Sequence, residues 1–573
     1  MKKLIVVLLF LVFIHVAVAQ EGRMPLLAVK QTDNGQEGSA AELILEIKEG
    51  SGRVFVDTFP LSKIDTQISM RFAKEISCDF IDYDCDELDF VYTIRADSPI
   101  IGGPSAGAAA SVLTISVLTD SPLRKRIALT GTINSGGLIG PVGGLKEKID
   151  AAADSDLQTV LIPMGETNVI NKSDNTSQTL AYYGADLNIE VIEVSELGEA
   201  LKIFTGKDFV IFDKSIVISD FYTNIMKGLS EQLCKRNEEL SSMLIIENRS
   251  SNSLYTEAIN LSTKAEIANS NGEYYSGASF CFGSNVKLNQ VFLETKNFSI
   301  RKYRSLLNEL KREINDFEEE IEEREIKTIT DLESYMIVKE RLREAYKFTN
   351  STNESLVYSY AYGNERLRSA HSWAQFLNNK GRDLKLDQES LQESCRQRLA
   401  EAEERLQYAS IYLPFRLSSS KGNLERAYED FNNEDYALCL FKASKSKAEA
   451  NIVLNTMGIE DEFIPDLIEN KLDAATRVIV KAESKEIFPV LGYSYYEYAN
   501  SLKETDKFSA LLYAEYALEL SNLDIYFKEE EFPKIDFELD SGSFLIIGIV
   551  IGIAIGLVIR KPSKTRALLG KKR

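Results

Sequence analysis

Ile101-Gly102-Gly103-Pro104-Ser105-Ala106-Gly107 opens a small, apolar run that continues to Leu118, and its reading decides the fold. The alanine-rich stretch from Ala106 to Leu118 can pack closely as a buried helix. Ser105 would open that helix, where free backbone N–H groups and the dipole favour negative charge. The place suits an oxyanion hole built from the Ser105 N–H and amides of the Gly102-Gly103 approach, since glycine lets the backbone come close to a substrate carbonyl. A serine before a helix is more commonly an N-cap, so a nucleophile at Ser105 requires a base elsewhere. The chain has two histidines, His15 in an apolar leader and His371 far downstream. A local Ser-His-Asp triad, a Cys-His pair and a His-rich zinc site are therefore excluded around Ser105. The base must be a lysine or a carboxylate. A lysine serves only when neutral, which needs burial or a nearby cation to bring its pKa down from about 10.4.

Helix phase selects the lysine. In Leu145-Lys146-Glu147-Lys148-Ile149-Asp150-Ala151-Ala152-Ala153, a rotation of about 100° per residue puts Leu145, Lys148, Ile149 and Ala152 on one face. Lys146 and Asp150 share another face and can pair in solvent. Lys148 thus points at the core, where a lysine either snorkels or works.

Between these segments lies Thr130-Gly131-Thr132-Ile133-Asn134. The three segments, in this order, resemble the proteolytic domain of the Lon-type (S16) serine peptidases, and in particular exported, membrane-bound archaeal-type forms that lack an ATPase domain. The resemblance covers residues 25–205 and implies Ser105 as nucleophile, Lys148 as base and Thr130 as a hydroxyl partner of the amine, with Gly102 and Gly103 supporting. Two positions depart from the family pattern. An acidic residue three positions before the serine is Gly102 here, and the glutamate of Thr-Gly-Glu is Thr132. Both changes remove negative charge from the neighbourhood of Lys148, which favours the neutral amine.

The surrounding pattern alone also gives an α/β domain. Strands are expected at Leu26 to Lys30, Ala41 to Ile47, Val54 to Phe59, Leu88 to Ile94, Arg126 to Thr132, Thr159 to Pro163 and Ile189 to Val194. Helices are expected from Thr66 to Ile76, after Ser105, and around Lys148. No Gly-x4-Gly-Lys-Ser/Thr phosphate loop occurs, so no ATP-driven motor is expected.

Residues 214–530 read as all-α helical hairpins, in part coiled-coil-like. Leu307, Leu310, Ile314, Phe317 and Ile321 step by three and four, and the series continues through Leu332, Met336 and Leu342. Asn271 to Tyr274, Asn433 to Tyr436 and Thr505 to Phe508 each precede an Ala-rich amphipathic helix, similar to the turn of tetratricopeptide-type pairs. Tyr493, Tyr495, Tyr496 and Tyr498 fit inter-helix packing.

The ends carry further expectations. Residues 1–19 have a basic start, an apolar stretch and Ala17-Val18-Ala19, which reads as a signal peptide or a retained signal anchor. Residues 544–559 are apolar and glycine throughout, read as a transmembrane helix, and the cationic tail 560–573 puts the C-terminus in the cytoplasm. The expected protein is a single-pass protein of the cell membrane with its peptidase domain outside the cytoplasm. A net charge of −21 argues against nucleic acid as a partner. Seven Asn-x-Ser/Thr sequons are glycan candidates in an exported chain. Of the six cysteines, Cys78 and Cys85 are near enough in sequence to bridge, and none has metal-ligand spacing. The combined reading is an α/β Lon-type proteolytic domain, an all-α helical-hairpin domain and one C-terminal transmembrane helix. It implies an ATP-independent, membrane-tethered endopeptidase acting on unfolded or flexible protein segments, with no cofactor and no metal. Homo-oligomer formation is left open, and the alternative is a catalytically silent adaptor of the same fold.

Overall fold

Leu43, Leu45 and Ile47 are buried while Glu42 and the residues between them face outward, the period of two that marks a strand covered on one side. They lie in β2 (Gly35–Glu49), which pairs antiparallel with β1 (Gln20–Thr32) and with β4 (Leu88–Ile101). β3 (Val54–Ser62) joins β4 in parallel, giving the order β1-β2-β4-β3. A second, all-parallel sheet has the order β11-β8-β5, from β5 (Ile127–Leu129), β8 (Thr159–Pro163) and β11 (Glu190–Val194). Short antiparallel pairs are β6 (Thr132–Asn134) with β7 (Leu138–Gly140), and β9 (Asn168–Ile170) with β10 (Ser177–Thr179). Helices α1 (Ile64–Phe80), α2 (Gly107–Leu118), α3 (Leu145–Asp154), α4 (Leu180–Asp186) and α5 (Leu197–Thr205) pack on the sheets. α2 is buried from Gly107 to Val117, as its small, apolar composition requires.

In this computed structural model the described residues are 20–527 except 33–34, 102, 166–167, 171–176, 210–215, 217, 219, 245–251, 351–354, 379–380, 457–458 and 460. Beyond the α/β region they are helical. The helices are α6 (Asp220–Met243), α7 (Ser253–Ser270), α8 (Tyr274–Lys296), α9 (Ile300–Glu322), α10 (Ile329–Thr349) and α11 (Leu356–Trp373). They continue with α12 (Gln388–Tyr412), α13 (Ser418–Asn432), α14 (Tyr436–Asn455), α15 (Ile464–Ser484), α16 (Val490–Leu502) and α17 (Lys507–Leu520). The stepped series in α9 is its buried face. The three turn signals fall between α7 and α8, α13 and α14, and α16 and α17. Tyr493, Tyr495 and Tyr498 sit in a web of aromatic contacts between helices, including Tyr498 with Tyr513 at 4.7 Å.

Three disulfides use all six cysteines. Cys78–Cys85 ties the end of α1 to the approach of β4, Cys234–Cys281 joins α6 to α8, and Cys395–Cys439 joins α12 to α14. The helical region is seated directly on the α/β region. Arg71 pairs with Glu404 at 2.6 Å, Arg477 with Glu196 at 2.7 Å, and Lys481 with Asp79 at 2.7 Å. Leu138 of β7 belongs to the helical region's apolar core.

The membrane expectation is corrected here. Among the described residues no helix is long and apolar enough to cross a membrane. The most uniformly apolar, α2, has 12 residues, about 18 Å of helix against a hydrocarbon core of about 30 Å. Long helices such as α9 carry charges on every turn outside one buried stripe. The segments 1–19, 544–559 and 560–573 lie outside the described residues. The described fold is therefore an α/β domain followed by a helical region, and the expected single-pass membrane placement finds no helix among the described residues to carry it.

Glu497 of α16 is buried and accepts the Ser276 amide at 2.9 Å. Desolvation pushes its carboxyl up to about 7, from 4.5. The folded state thus holds this proton more tightly than the unfolded chain. Its favourable contribution is complete below the unfolded value and is lost as pH rises toward 7. Replacing Glu497 by Gln should therefore gain on wild type as pH rises from about 5 to 8, by a few degrees in Tm. Thermal melts across that range check it, and a constant difference would contradict the assignment.

Candidate active site

The strand expected from Arg126 to Thr132 breaks after Leu129, and the break builds the site. The Thr130 N–H still donates to the Leu161 carbonyl of β8 at 3.0 Å. One residue later the partner changes, and the Gly131 N–H donates to the Ser105 carbonyl at 3.0 Å. The Gly131 carbonyl in turn accepts from the Ala108 N–H at 3.1 Å. The start of α2 is thereby stitched to the Thr130-Gly131 segment. A side chain at Gly131 would put its Cβ 2.5 Å from Ile139 Cγ2, so this close approach needs glycine.

Ser105 itself sits in the turn before α2. The helix begins at Gly107 with Ala106 as its N-cap, rather than at Ser105. The Gly107 N–H closes the turn on the Pro104 carbonyl at 2.9 Å. Gly103 has φ +99°, a conformation that side chains rarely adopt, and Gly102 lies outside the described residues. α1 holds the turn from the far side. Thr66 Oγ1 donates to the Gly103 carbonyl at 3.2 Å, and Ser69 Oγ donates to the Pro104 carbonyl at 3.1 Å.

Lys148 enters from α3. The helix starts after Gly144, whose φ of +71° sets the turn, and buries Leu145, Lys148, Ile149, Ala151 and Ala152. Lys148 is 3% exposed, and its Nζ donates to Thr130 Oγ1 at 2.9 Å. Thr130 is 1% exposed. Lys146 goes the other way. It pairs with Asp150 at 3.0 Å and lies 4.8 Å from the Tyr183 ring centre, and its pKa is raised by Tyr183 first and by Asp150 as well. The phase argument thus separates the two lysines as the sequence implied.

Ser105 and Lys148 line one cleft with about 430 Å³ of water-accessible space. Its walls mix polar and apolar groups, with Leu26, Val29, Ile94, Leu129 and Val142 among the apolar ones. Tyr408 of α12 also lines it, from the helical region. A half-buried hydroxyl and a buried amine facing one peptide-sized cleft are the parts a serine hydrolase needs when histidine is absent. Among the described residues, no group of acidic, histidine or cysteine side chains could hold a metal ion.

Thr66, Ser69 and Tyr408 were not marked by the sequence. Thr66 and Ser69 had a weak signal, being hydroxyls three apart on an otherwise apolar helix face. Tyr408 had none, because its contact spans some three hundred residues of chain. Thr132 is buried in β6, where its hydroxyl accepts from Asn134 at 3.4 Å.

Alanine at Gly103 should cost about 1–3 kcal/mol through its left-handed backbone. Alanine at Gly143, where a Cβ meets nothing within 4 Å, should be close to neutral. Denaturant unfolding of both variants tests the contrast, and equal losses would contradict it.

Comparison with known proteins covers the same part of the chain. Residues 97–203 match the family of the Lon protease (S16) C-terminal proteolytic domain. Similar proteins include the Lon protease of Brucella suis, 41% identical over 101 residues, which is 18% of this chain and 11% of the relative. The Lon protease of Trichlorobacter lovleyi is 37% identical over 105 residues, 18% of this chain and 12% of the relative. That of Rickettsia typhi is 39% identical over 100 residues, with the same coverage. The chain thus spans about a tenth of the length of the curated relatives it matches. Within those bounds, residues 97–203 are similar to the Lon protease (S16) C-terminal proteolytic domain.

Proposed function

We propose that the chain is an endopeptidase in which Ser105 attacks the peptide carbonyl and Lys148 takes its proton. The observation that carries this reading is the buried Lys148 amine, bonded to the neutral Thr130 hydroxyl in the cleft that Ser105 also lines. The Thr130 hydroxyl accepts one Lys148 proton and so fixes the orientation of the amine. The Ser105 Oγ forms a bond to the carbonyl carbon as its proton passes to Lys148 Nζ. The oxyanion gathers at the Ser105 N–H and its neighbouring amides, where the start of α2 adds its dipole. On collapse, the C–N bond breaks, the leaving amine takes the proton from Lys148, and an acyl-Ser105 ester remains. Water activated by Lys148 then hydrolyses the ester and restores both groups. The position of Thr132 in place of an acid leaves the amine one anion fewer to pair with.

The chain contains no phosphate loop, so this chemistry runs without nucleotide. Substrates are segments that reach the cleft already extended, such as loops, termini and unfolded chains.

Ser105→Ala and Lys148→Ala should each reduce hydrolysis of an unfolded protein such as casein by several orders of magnitude, since nucleophile and base act as a unit. Lys146→Ala should remain near wild type. All are assayed on the full chain without nucleotide, with circular dichroism confirming the fold. Hydrolysis that survives Ser105→Ala would overturn the assignment, and its absence in wild type would leave a binding module.

The amine must be neutral to act as base, so the rate should rise with pH and be higher in mildly alkaline solution. Thr130→Val, which removes the hydroxyl partner, should lower kcat by about tenfold. A rate already maximal near pH 5 would exclude lysine as the base.

A further inference from the structure

The catalytic cleft is completed by the helical region. Tyr408 lines the same cleft as Ser105 and Lys148, and among the described lining residues it alone comes from beyond the α/β region. Its ring is 4% exposed and packs in a small apolar cluster with Ala409, Leu417 and Leu454. The turn of α12 just before it is fastened to α1. Glu404 pairs with Arg71 at 2.6 Å, and the Arg405 guanidinium stacks 3.9 Å from the centre of the Phe72 ring. One turn earlier on α1, Thr66 and Ser69 hold the Gly103 and Pro104 carbonyls of the nucleophile turn. A single helix therefore grips the Ser105 turn with its first turns and α12 with the next, so the Tyr408 ring stands at a fixed position relative to Ser105.

We infer that Tyr408 is a specificity-determining residue that limits the size of the substrate side chain the cleft accepts beside the scissile bond. The inference rests on the peptidase reading above and adds the substrate class. Leu26, Ile94, Ala96 and Leu129 supply apolar surface to the same cleft, which suits an uncharged side chain. The Tyr408 ring closes the space in which a larger one would sit. Its role is steric, and it takes no part in proton transfer.

The test is a set of fluorogenic peptides carrying Ala, Leu, Phe or Trp at each position flanking the cleavage site. They are assayed with the full chain as wild type, Tyr408→Leu, Tyr408→Phe and Tyr408→Trp. Tyr408→Leu should raise kcat/KM for the Trp peptide relative to the Ala peptide by at least about tenfold at one position. Tyr408→Phe should keep the wild-type ratio within about twofold, and Tyr408→Trp should shift it the opposite way. A variant that is merely less stable loses all substrates together, so the ratio separates specificity from folding. An unchanged ratio in Tyr408→Leu, with hydrolysis still dependent on Ser105, overturns the inference and leaves the peptidase reading intact. If wild type shows no Ser105-dependent hydrolysis, the peptidase reading fails instead. The same peptides are then titrated by fluorescence anisotropy against Ser105→Ala and the double variant Ser105→Ala/Tyr408→Leu. A shift in binding preference toward Trp supports the size limit, and identical preferences overturn it.

Discussion

The arrangement of the site depends on one change of backbone partner. Thr130 is the last residue bonded to β8, and Gly131 the first bonded to the Ser105 turn. Because adjacent residues of one chain make these bonds, the Thr130 hydroxyl and the Ser105 turn are placed by the same short segment. Ordinary strand continuation would have carried residue 131 along β8 and away from α2. The departure uses a glycine where any Cβ would collide with Ile139. Lys148 then needs only to arrive at Thr130, which the inward face of α3 secures.

The second constraint is the seat of the helical region on α1. Beneath the Arg71–Glu404 pair lies a cluster of buried charges. Arg398 pairs with Glu519 at 2.7 Å, and Lys447 pairs with Glu401 at 2.9 Å and with Glu519 at 3.2 Å. Glu75 of α1 lines the small cavity beside them, and desolvation, reinforced by Glu401, pushes its carboxyl up to about 7. Ion pairs removed from water contribute little net stability, yet removing one partner leaves a costly unpaired charge. Such a cluster tolerates few alternative seatings of α12 on α1. It therefore fixes geometry more than it adds stability, and geometry is what a wall of the cleft requires.

What the sequence made legible was local. Helix phase separated Lys148 from Lys146 because 100° per residue is a property of ten consecutive residues. The buried stripe of α9 and the turns before α8, α14 and α17 were readable for the same reason. The site's remaining parts were hidden by distance along the chain. Thr66 meets Gly103 across 37 residues, and Glu404 meets Arg71 across 333. The break between β5 and β6 was invisible because the β-branched Thr130 and Thr132 suit the continuation of the apolar run Ile127 to Leu129, and only the tertiary partner ends it. Cysteine spacing suggested Cys78 with Cys85 but held no information on Cys234–Cys281 or Cys395–Cys439, whose partners lie on different helices. Terminal hydropathy suggested a membrane helix, whereas the described helices are either short or charged outside one face.

The division between chemistry and shape follows from where the cleft residues lie. Ser105, Lys148 and the Thr130 hydroxyl that holds Lys148 all fall inside 97–203, the segment matched to the Lon proteolytic domain. The walls from Leu26 to Val29, and Gln36, Ala41, Thr66, Ile94, Ala96 and Tyr408, all fall outside it. In the proposed mechanism, nucleophilic attack and proton transfer depend on the first set. The shape of the cleft depends on the second set together with Leu129, Pro141, Val142 and Gly144 of the matched segment. Likeness to those relatives therefore covers only part of the lining that decides which side chains can enter. On the reading proposed here, substrate selection depends on how β1, α1 and α12 are packed around the segment that resembles the Lon proteolytic domain.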